Sequence, residues 1–414
     1  MLDIKFIREN PDKVQKAAKE KKVDIDISHI LKIDDEFRSL SIQAQALRQE
    51  RNTNSGSIKD KPTEMQIKNG QEIKVKIEKL EPALNAVEAE LKEWFLKIPN
   101  LAKADVKFGE NDTQNDVIKT IGEPTKFNFT PKDHLTLGEK LDIIDVQRAS
   151  KISGARFYFL KNDGALLEFA LRELAFELLL KEGFIPIVPP VMIKTEVMKG
   201  LGYMENGGDE DMYIFDKDDL VLVGTSEQSI VAMHQNETFE SKDLPKRYVG
   251  FSTCFRREAG SYGKDTRGIL RAHQFDKTEM VSFVKQGEDD KEHDYLLSLE
   301  EKLLQALKLP YQVVKMCTGD LGFPAARKYD IEAWIPSENK YRELTSTSTT
   351  TDFQARRLNI KYREQNGTEF ANILNGTVFS TRPIIAILEN YQREDGSVLV
   401  PEVLQKYLGK KVIK

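Results

Sequence analysis

Apolar residues recur at alternating intervals of three and four along two stretches near the start of the chain. The first stretch runs from Ile30 to Leu47 and the second from Ile73 to Ile98. This spacing places apolar side chains along one seam of an α-helix and is typical of coiled coils. The seam positions are Ile30, Ile33, Phe37, Leu40, Ala44 and Leu47, followed by Ile73, Ile77, Leu80, Leu84, Val87, Leu91, Trp94 and Ile98.

The interval between the two seams predicts a turn. Residues 52–62 are polar, contain Gly56 and end at Pro62, and the regular spacing stops there. Two such helices form an antiparallel hairpin, and helices of about 25 to 35 residues are roughly 40 to 50 Å long. Pro82 lies inside the second helix, where we expect a kink and the loss of one hydrogen bond. Taken alone, the hairpin is more readily a packing or dimerisation device than a binding arm, because most heptad helices are structural.

The pattern changes after the second seam and predicts a different kind of domain. A stretch rich in Pro, Gly, Asn, Asp and Thr is followed by amphipathic helices that alternate with short β-branched segments. This alternation predicts an α+β fold with flanking helices around a mostly antiparallel sheet. We therefore expect an N-terminal helical arm over residues 1–103, a linker over 104–135 and a second domain over 136–414.

Composition narrows the class of protein only a little. Of 414 residues, 31% are charged and the net charge is −5, so RNA binding would have to depend on local basic patches. Two cysteines and five scattered histidines form neither a disulfide framework nor a recognisable zinc set. The polar start MLDIKFIRENPDK is unlike a signal peptide, and no apolar run is long enough to span a membrane. These features favour the cytoplasm.

Residues 251–280 combine a strand, a Gly-rich basic loop and a second strand. The guanidinium group of arginine binds phosphate oxygens in pairs, which favours a phosphate site, although a solvated surface hairpin would have a similar composition. Glu258 and Glu279 stand among the basic residues. These basic residues are Arg256, Arg257, Lys264, Arg267 and Arg271.

This segment, FRREAGSYGKDTRGILRAHQFDKTEM, resembles motif 2 of the class II aminoacyl-tRNA synthetases. Its residues are those typical of the seryl-tRNA synthetases within that class. Motif 1 of that class is resembled by GARFYFLKNDGALLEFAL and GFIPIVPPVMI, which implies a dimer contact at Pro189 and Pro190. Motif 3 is resembled by NGTVFSTRPIIAILENYQ. VGTSEQS resembles the serine-binding loop of that family, and YRELTSTSTTTDFQARR resembles the segment leading into its ATP site. The predicted hairpin falls where the family has its tRNA-binding arm, so the resemblance covers essentially the whole chain.

The sequence departs from the family pattern in two places. Thr347 and Thr349 stand where the family usually has Cys and Asn. In motif 3, five residues separate Gly376 from Arg382, where the family usually has six that end in Gly. We expect the shorter segment to affect the serine contact of Thr377 and to alter turnover.

The resemblance implies an enzyme that ligates L-serine to tRNA(Ser) with ATP through a seryl-adenylate, with tRNA(Sec) as a further candidate substrate. It also implies a homodimer. Arg256 and Arg382 would be catalytic, and Mg²⁺ would bind Glu343 and Ser346, whose oxygen atoms suit this ion. The implied ATP-binding residues are Arg256, Arg257, Glu258, Arg271, Phe275, Glu343, Leu344, Thr345, Ser346 and Arg382. The implied serine-binding residues are Thr225, Ser226, Glu227, Arg256, Glu279 and Thr377.

Several alternatives stand beside this interpretation. Thr225 and Glu227 also suit a helix cap, His273 a structural contact, and Cys254 a small buried residue. For the whole chain, the main alternative is a non-catalytic synthetase paralogue that acts as an RNA-binding or regulatory protein. A relative that charges a carrier protein would lack the arm, and a purely structural coiled coil would leave residues 220–400 unexplained.

Overall fold

A computed structural model describes residues 1–58, 61–259 and 267–414. The α-helices in these ranges are α1 (Ile4–Glu9), α2 (Pro11–Glu20), α3 (Ile27–Gly56), α4 (Glu64–Leu96), α5 (His134–Lys140), α6 (Val146–Ser153), α7 (Asn162–Lys181), α8 (Thr195–Leu201), α9 (Ser226–Ala232), α10 (Asp289–Ala306), α11 (Phe353–Leu358), α12 (Arg382–Asn390) and α13 (Gln405–Leu408). None of the helices found in these ranges is long and apolar enough to cross a membrane.

The described strands begin at Asp116, and the two longest are Gln274–Val284 and Lys340–Thr351. They are β1 (Asp116–Ile121), β2 (Ile144–Asp145), β3 (Phe159–Leu160), β4 (Ile185–Ile187), β5 (Met192–Lys194), β6 (Ile214–Phe215), β7 (Leu220–Leu222), β8 (Thr238–Glu240), β9 (Lys246–Phe255), β10 (Gln274–Val284), β11 (Tyr311–Lys315), β12 (Arg327–Ile335), β13 (Lys340–Thr351), β14 (Lys361–Glu364), β15 (Gly367–Phe370), β16 (Asn372–Ser380), β17 (Val398–Leu399) and β18 (Val412–Ile413).

The chain divides into two compact units, Met1–Pro99 and Asn100–Lys414. In the first unit, α3 and α4 form the predicted hairpin, and every predicted seam residue is buried or half-buried. The helices have 30 and 33 residues, which corresponds to about 45 and 50 Å. A capping box begins α4, because the Thr63 side chain accepts the backbone N–H of Gln66 at 3.2 Å and the Gln66 side chain accepts that of Thr63 at 3.0 Å.

The predicted turn and kink differ in detail from the structure. Helix α3 continues past Asn52 to Gly56, where the Asn54 side chain donates to the Gln66 carbonyl oxygen at 3.0 Å and ties the ends of the two helices together. Pro82 lies within α4, and the helix continues on both sides of it. Proline therefore removes one backbone donor here without ending the helix.

The second unit is built on an eight-stranded sheet with the order β1-β11-β12-β13-β16-β10-β9-β4. Its neighbouring strands are antiparallel except for β4 and β9, which run parallel. The mostly antiparallel α+β architecture is therefore confirmed. Strand β1 comes from residues 104–135, for which we predicted a linker, and it pairs with β11 at the edge of the sheet.

Two apolar clusters hold helices against this sheet. The larger contains buried leucines and isoleucines of α7, α10 and α12, and the smaller contains residues of α8, α9 and α11. Helices from before and after the central strands in the sequence therefore pack against the sheet.

The seam of the hairpin gives a direct test of the first unit. Ile73 is 0% exposed, and Val75, two residues further along the same helix, is 48% exposed. We expect Ile73→Ala to destabilise the hairpin by about 2 to 5 kcal/mol, because it leaves a cavity in the seam. Val75→Ala should change stability by less than about 0.5 kcal/mol. Hydrogen exchange of the amides of α3 and α4 measures both, and equal protection in the two variants would contradict the assigned seam.

Candidate active site

A cavity of about 490 Å³ lies in the second unit, lined by residues of five neighbouring strands of the large sheet, β12, β13, β16, β10 and β9. Residues at the starts of α9 and α12 also line it, together with loop residues such as Tyr203 and Arg271. Most of the side chains singled out from the sequence come together here. The predicted residues in the lining are Thr225, Glu227, Arg256, Glu258, Arg271, Phe275, Glu279, Glu343, Leu344, Ser346, Thr377 and Arg382.

Three predicted site residues do not line this cavity. The Arg257 guanidinium lies 5.3 Å from the ring centroid of Tyr213, and the Thr345 hydroxyl donates to Glu300 at 2.9 Å. Ser226 is fully buried on α9. Their contacts with ATP or serine remain predictions. Lys264, part of the predicted basic loop, lies outside the described residues.

Strand alternation explains one wall of the cavity. In a β-strand every second side chain points to the same face of the sheet, so Phe275, Lys277 and Glu279 on β10 share one face. All three line the cavity. The Phe275 ring centroid lies 5.4 Å from the Arg256 guanidinium, which places an aromatic face beside a cation at this end of the site.

Two irregularities in strand pairing bring further residues to the same face. Between β12 and β13 the register shifts at Leu344, so that Glu343 and Ser346 both line the cavity although they are three positions apart. Between β10 and β16 the register shifts at Val378, and Thr377 and Ser380 both line the cavity in the same way. An extra residue in one strand re-aims the side chains that follow it, which is the usual effect of a β-bulge.

Arginines at one end of the cavity are held by acids and carbonyl oxygens. Arg271 pairs with Glu258 at 3.1 Å, and Arg256 donates to the Gly224 carbonyl oxygen from Nε at 3.3 Å and from Nη2 at 3.2 Å. These contacts fix the guanidinium groups while leaving them in the cavity lining. Fixed guanidinium groups in a partly enclosed site suit an anionic ligand with several oxygen atoms.

The Glu343 carboxylate forms a second charged cluster with Arg382. Arg382 Nη1 donates to Glu343 Oε2 at 2.7 Å and to the Glu343 carbonyl oxygen at 3.2 Å. Burial acts to raise the pKa of Glu343, but Arg382 and Lys328 lower it well below its usual range. Lys328 itself pairs with Asp330 at 3.0 Å. Glu343 is therefore a stable anion in a site that also holds cations.

The oxygen atoms of this cluster fit a hard divalent cation. Glu343 and Ser346 line the cavity, and Asp330 lies opposite Ser346 in the pairing of β12 with β13. Among the described residues, no group of three or more acidic, His or Cys side chains could hold a metal ion. Carboxylate and hydroxyl oxygens are ligand types that Mg²⁺ accepts, alongside water and phosphate oxygens.

Acidic side chains gather at the other end of the cavity. Glu227 is buried and accepts hydrogen bonds from the Tyr203 hydroxyl at 2.8 and 2.9 Å and from Gln354 Nε2 at 3.1 Å. Glu279 forms an ion pair with Lys277 and lies opposite Thr377 in the strand pairing. Burial raises the pKa of Glu227, and the negative charge of Glu279 raises it further. A ligand ammonium would offset this excess of negative charge.

The alternative assignment of a helix cap to Thr225 is also correct. Thr225 is the N-cap of α9, and its hydroxyl accepts the backbone N–H of Glu227 at 3.3 Å. Because Thr225 and Glu227 also line the cavity, the cap fixes the direction of both side chains. Capping and participation in the site are therefore compatible here.

His273 and Cys254 have structural surroundings. His273 Nδ1 lies 3.0 Å from the Arg256 carbonyl oxygen, and the Arg256 backbone N–H donates to the His273 carbonyl oxygen at 3.0 Å. The Cys254 thiol is fully buried, and burial raises its pKa, which disfavours the reactive thiolate. Both agree with the structural interpretation of these residues.

Sequence reasoning missed several residues of this cavity. Lys277 could have been found, because it lies between Phe275 and Glu279 at the spacing of two that places all three on one face. Lys328 could have been found in the same way from its acidic neighbour two positions along β12. Tyr203 carries no such signal, since it lies in a short polar segment between α8 and β6.

The fold and this site define a class II aminoacyl-tRNA synthetase. Residues 213–391 match the family described as tRNA synthetase class II core domain (G, H, P, S and T), and residues 1–102 match the Seryl-tRNA synthetase N-terminal domain. The Serine--tRNA ligase of Corynebacterium glutamicum is 45% identical, with 100% of this chain and 99% of that protein covered. The chain belongs to the seryl-tRNA synthetase family.

Solved structures agree with this assignment over the full length. The seryl-tRNA synthetase from Pyrococcus horikoshii complexed with ATP has a TM-score of 0.92 at 38% identity, with 100% of this chain and 99% of that chain covered. The cytoplasmic Serine-tRNA ligase from Naegleria fowleri in complex with AMP has a TM-score of 0.89 at 32% identity and the same coverage.

Proposed function

We propose that this chain ligates L-serine to tRNA(Ser) in an ATP-dependent reaction with a seryl-adenylate intermediate. The observation that carries the proposal is a single cavity with fixed arginines at one end and buried acids at the other. These two ends suit the phosphates of ATP and the ammonium group of an amino acid. The neighbours in complex with ATP and AMP support a nucleotide in this cavity.

In the first step a serine carboxylate oxygen attacks the α-phosphorus of ATP, the bond to the β-phosphate breaks, and pyrophosphate leaves. We assign Arg256 to the serine carboxylate and the α-phosphate, and Arg271 and Arg382 to the outer phosphates. Glu258 would accept a hydrogen bond from the adenine amino group, and Phe275 would stack on the ring. Such a step depends on positioning and charge stabilisation, so no protein nucleophile is required.

We assign Mg²⁺ to Glu343 and Ser346, where bound Mg²⁺ would neutralise and orient phosphate oxygens. The low pKa of Glu343 keeps this ligand ionised at neutral pH. Since Arg382 donates to the same carboxylate at 2.7 Å, the cation and the guanidinium would act on one cluster of phosphate oxygens.

We assign Thr225, Glu227, Glu279 and Thr377 to the serine pocket. Buried acceptors favour a ligand with an ammonium and a hydroxyl group, because alanine would leave them unpaired. Threonine would have to be excluded by size, which is a weaker filter. In the second step, a ribose hydroxyl at the 3′ end of the tRNA attacks the seryl carbonyl carbon, and AMP leaves.

Exchange of labelled pyrophosphate into ATP tests amino-acid activation. We expect exchange with serine and Mg²⁺, with much lower rates for alanine, threonine and cysteine, and no exchange when the metal is chelated. Arg256→Ala should lower the exchange rate by about 100 to 1,000-fold, the effect of losing one donor to the transition state, with the fold retained.

The outcomes of the exchange assay separate the alternatives. Absence of exchange with any amino acid in the folded protein would favour the non-catalytic paralogue. An unchanged exchange rate in Arg256→Ala would contradict the role of Arg256 in amino-acid activation. Transfer of serine to a carrier protein with no transfer to tRNA would favour the carrier-protein relative.

We propose that the hairpin of α3 and α4 binds tRNA(Ser), and tRNA(Sec) remains a further candidate. Deletion of residues 28–98, which lie within the first compact unit, should leave serine activation nearly unchanged. It should lower tRNA charging by at least about 100-fold, which corresponds to roughly 3 kcal/mol of lost binding energy. Parallel assays of exchange and charging measure both steps, and equal losses would contradict this division of labour.

We also propose that the protein is a homodimer and that it works in the cytoplasm. Cell fractionation should place it in the cytoplasmic fraction. Apolar side chains of α7 and the following segment, including Leu166, Phe169 and Val188, are exposed in the single chain. Sedimentation should give the mass of two chains. Val188→Glu should weaken the dimer, whereas Met65→Glu, at an equally exposed position on the hairpin (83% against 82%), should not. A wild-type monomer would contradict the proposal.

A further inference from the structure

Tyr203 makes an unusual contact behind the acidic end of the cavity. Its hydroxyl donates towards both oxygens of the buried Glu227 carboxylate, at 2.8 Å to Oε1 and 2.9 Å to Oε2. Burial raises the pKa of Tyr203 well above its ordinary value, and Glu227 raises it further, so the hydroxyl keeps its proton and acts as a donor. Tyr203 also lines the cavity itself.

Helix α11 fixes the segment that carries Tyr203. Arg357 Nε donates to the Gly200 carbonyl oxygen at 2.9 Å, and its guanidinium also forms an ion pair with Glu205. The segment is tight on its other side, since a Cβ at Gly208 would lie 2.0 Å from the Tyr203 carbonyl oxygen. The backbone that carries Tyr203 is therefore held by Arg357 on both sides of it along the chain.

The same helix supplies a second donor to the same carboxylate. Gln354, three positions before Arg357 and so on the same side of α11, donates to Glu227 Oε1 at 3.1 Å. Tyr203 and Gln354 thus approach Glu227 from two elements outside the sheet. The side chains on β10 that act on Glu227 are charged: Glu279 is an anion, and Lys277 is a cation paired with it.

We propose that Tyr203 is a positioning residue of the amino-acid pocket, whose hydroxyl fixes the Glu227 carboxylate in the orientation that receives the substrate ammonium. The inference rests on the proposed function, because it requires serine to bind at Glu227. The hydroxyl acts on Glu227 at the acidic end of the cavity, so the effect of Tyr203 should fall on serine and spare ATP.

Tyr203→Phe removes the hydroxyl and keeps the ring. We expect the KM for serine in pyrophosphate exchange to rise about tenfold, the value of one hydrogen bond to a charged group, while the KM for ATP stays within about twofold. Tyr295→Phe is the matched control, because Tyr295 also donates to a carboxylate, Glu182, at 2.8 Å, but outside the cavity. The control should match the wild type in both constants.

The pH profile distinguishes this role from simple packing. The Tyr203 hydrogen bond lowers the pKa of Glu227 against the opposing effects of burial and Glu279. Binding of the ammonium requires the carboxylate, so affinity is lost as the pH falls through the pKa of Glu227. Without the hydroxyl this pKa rises, and the acidic limb of kcat/KM for serine should move to higher pH in Tyr203→Phe.

The results separate the two proposals. Serine-dependent exchange in the wild type with an unchanged serine KM and pH profile in Tyr203→Phe would overturn the role of Tyr203 and leave the proposed function standing. Equal increases in the KM values for serine and ATP would also overturn it, since they indicate a general disturbance of the cavity. Absence of serine-dependent exchange in the wild type would overturn both.

Discussion

The cavity depends on the pairing of buried and partly buried charges. A charged side chain removed from water is costly unless an opposite charge or several hydrogen bonds compensate it. Here four of the cations that line the cavity have acidic partners within the fold, and Arg256 is held by the Gly224 carbonyl oxygen, so these charges are held in place before any ligand arrives. The pairs are Arg271–Glu258, Lys277–Glu279, Lys328–Asp330 and Arg382–Glu343. Groups fixed in this way need little rearrangement when charge develops on a phosphate, which is the main source of catalysis in such reactions.

The backbone determines which of these charges meet. Regular alternation along β10 brings Phe275, Lys277 and Glu279 to one face, while the shifts of register at Leu344 and Val378 turn residues three positions apart to that same face. Without the first shift, Glu343 and Ser346 would point to opposite sides of β13. The phosphate end of the cavity therefore requires an irregularity in the sheet, because regular pairing would not place Glu343 and Ser346 on one face.

This geometry explains what could be predicted from the sequence. The hairpin seams and the antiparallel sheet follow from local periodicity, and most site residues follow from the resemblance to the family. The bulges carry no periodic signal, since they arise from pairing between distant strands. Tyr203 and Gln354 are distant from motif 2 in sequence, and only the packing of α11 brings them to Glu227. The linker over residues 104–135 rests on composition alone, and composition cannot show that β1 within it pairs with β11.

The two departures from the family pattern fall where the site can accommodate them. Thr347 donates to the Asn375 carbonyl oxygen at 2.8 Å and Thr349 donates to Asp289 at 3.0 Å, and neither lines the cavity. These threonines thus join β13 to β16 and α10 on the side away from the ligand. In the shortened motif 3, Thr377 and Arg382 both still line the cavity, because the bulge at Val378 resets the strand before α12 begins. The shortening therefore preserves the two ends of the segment that the chemistry requires, which favours an active enzyme over a paralogue that has lost catalysis.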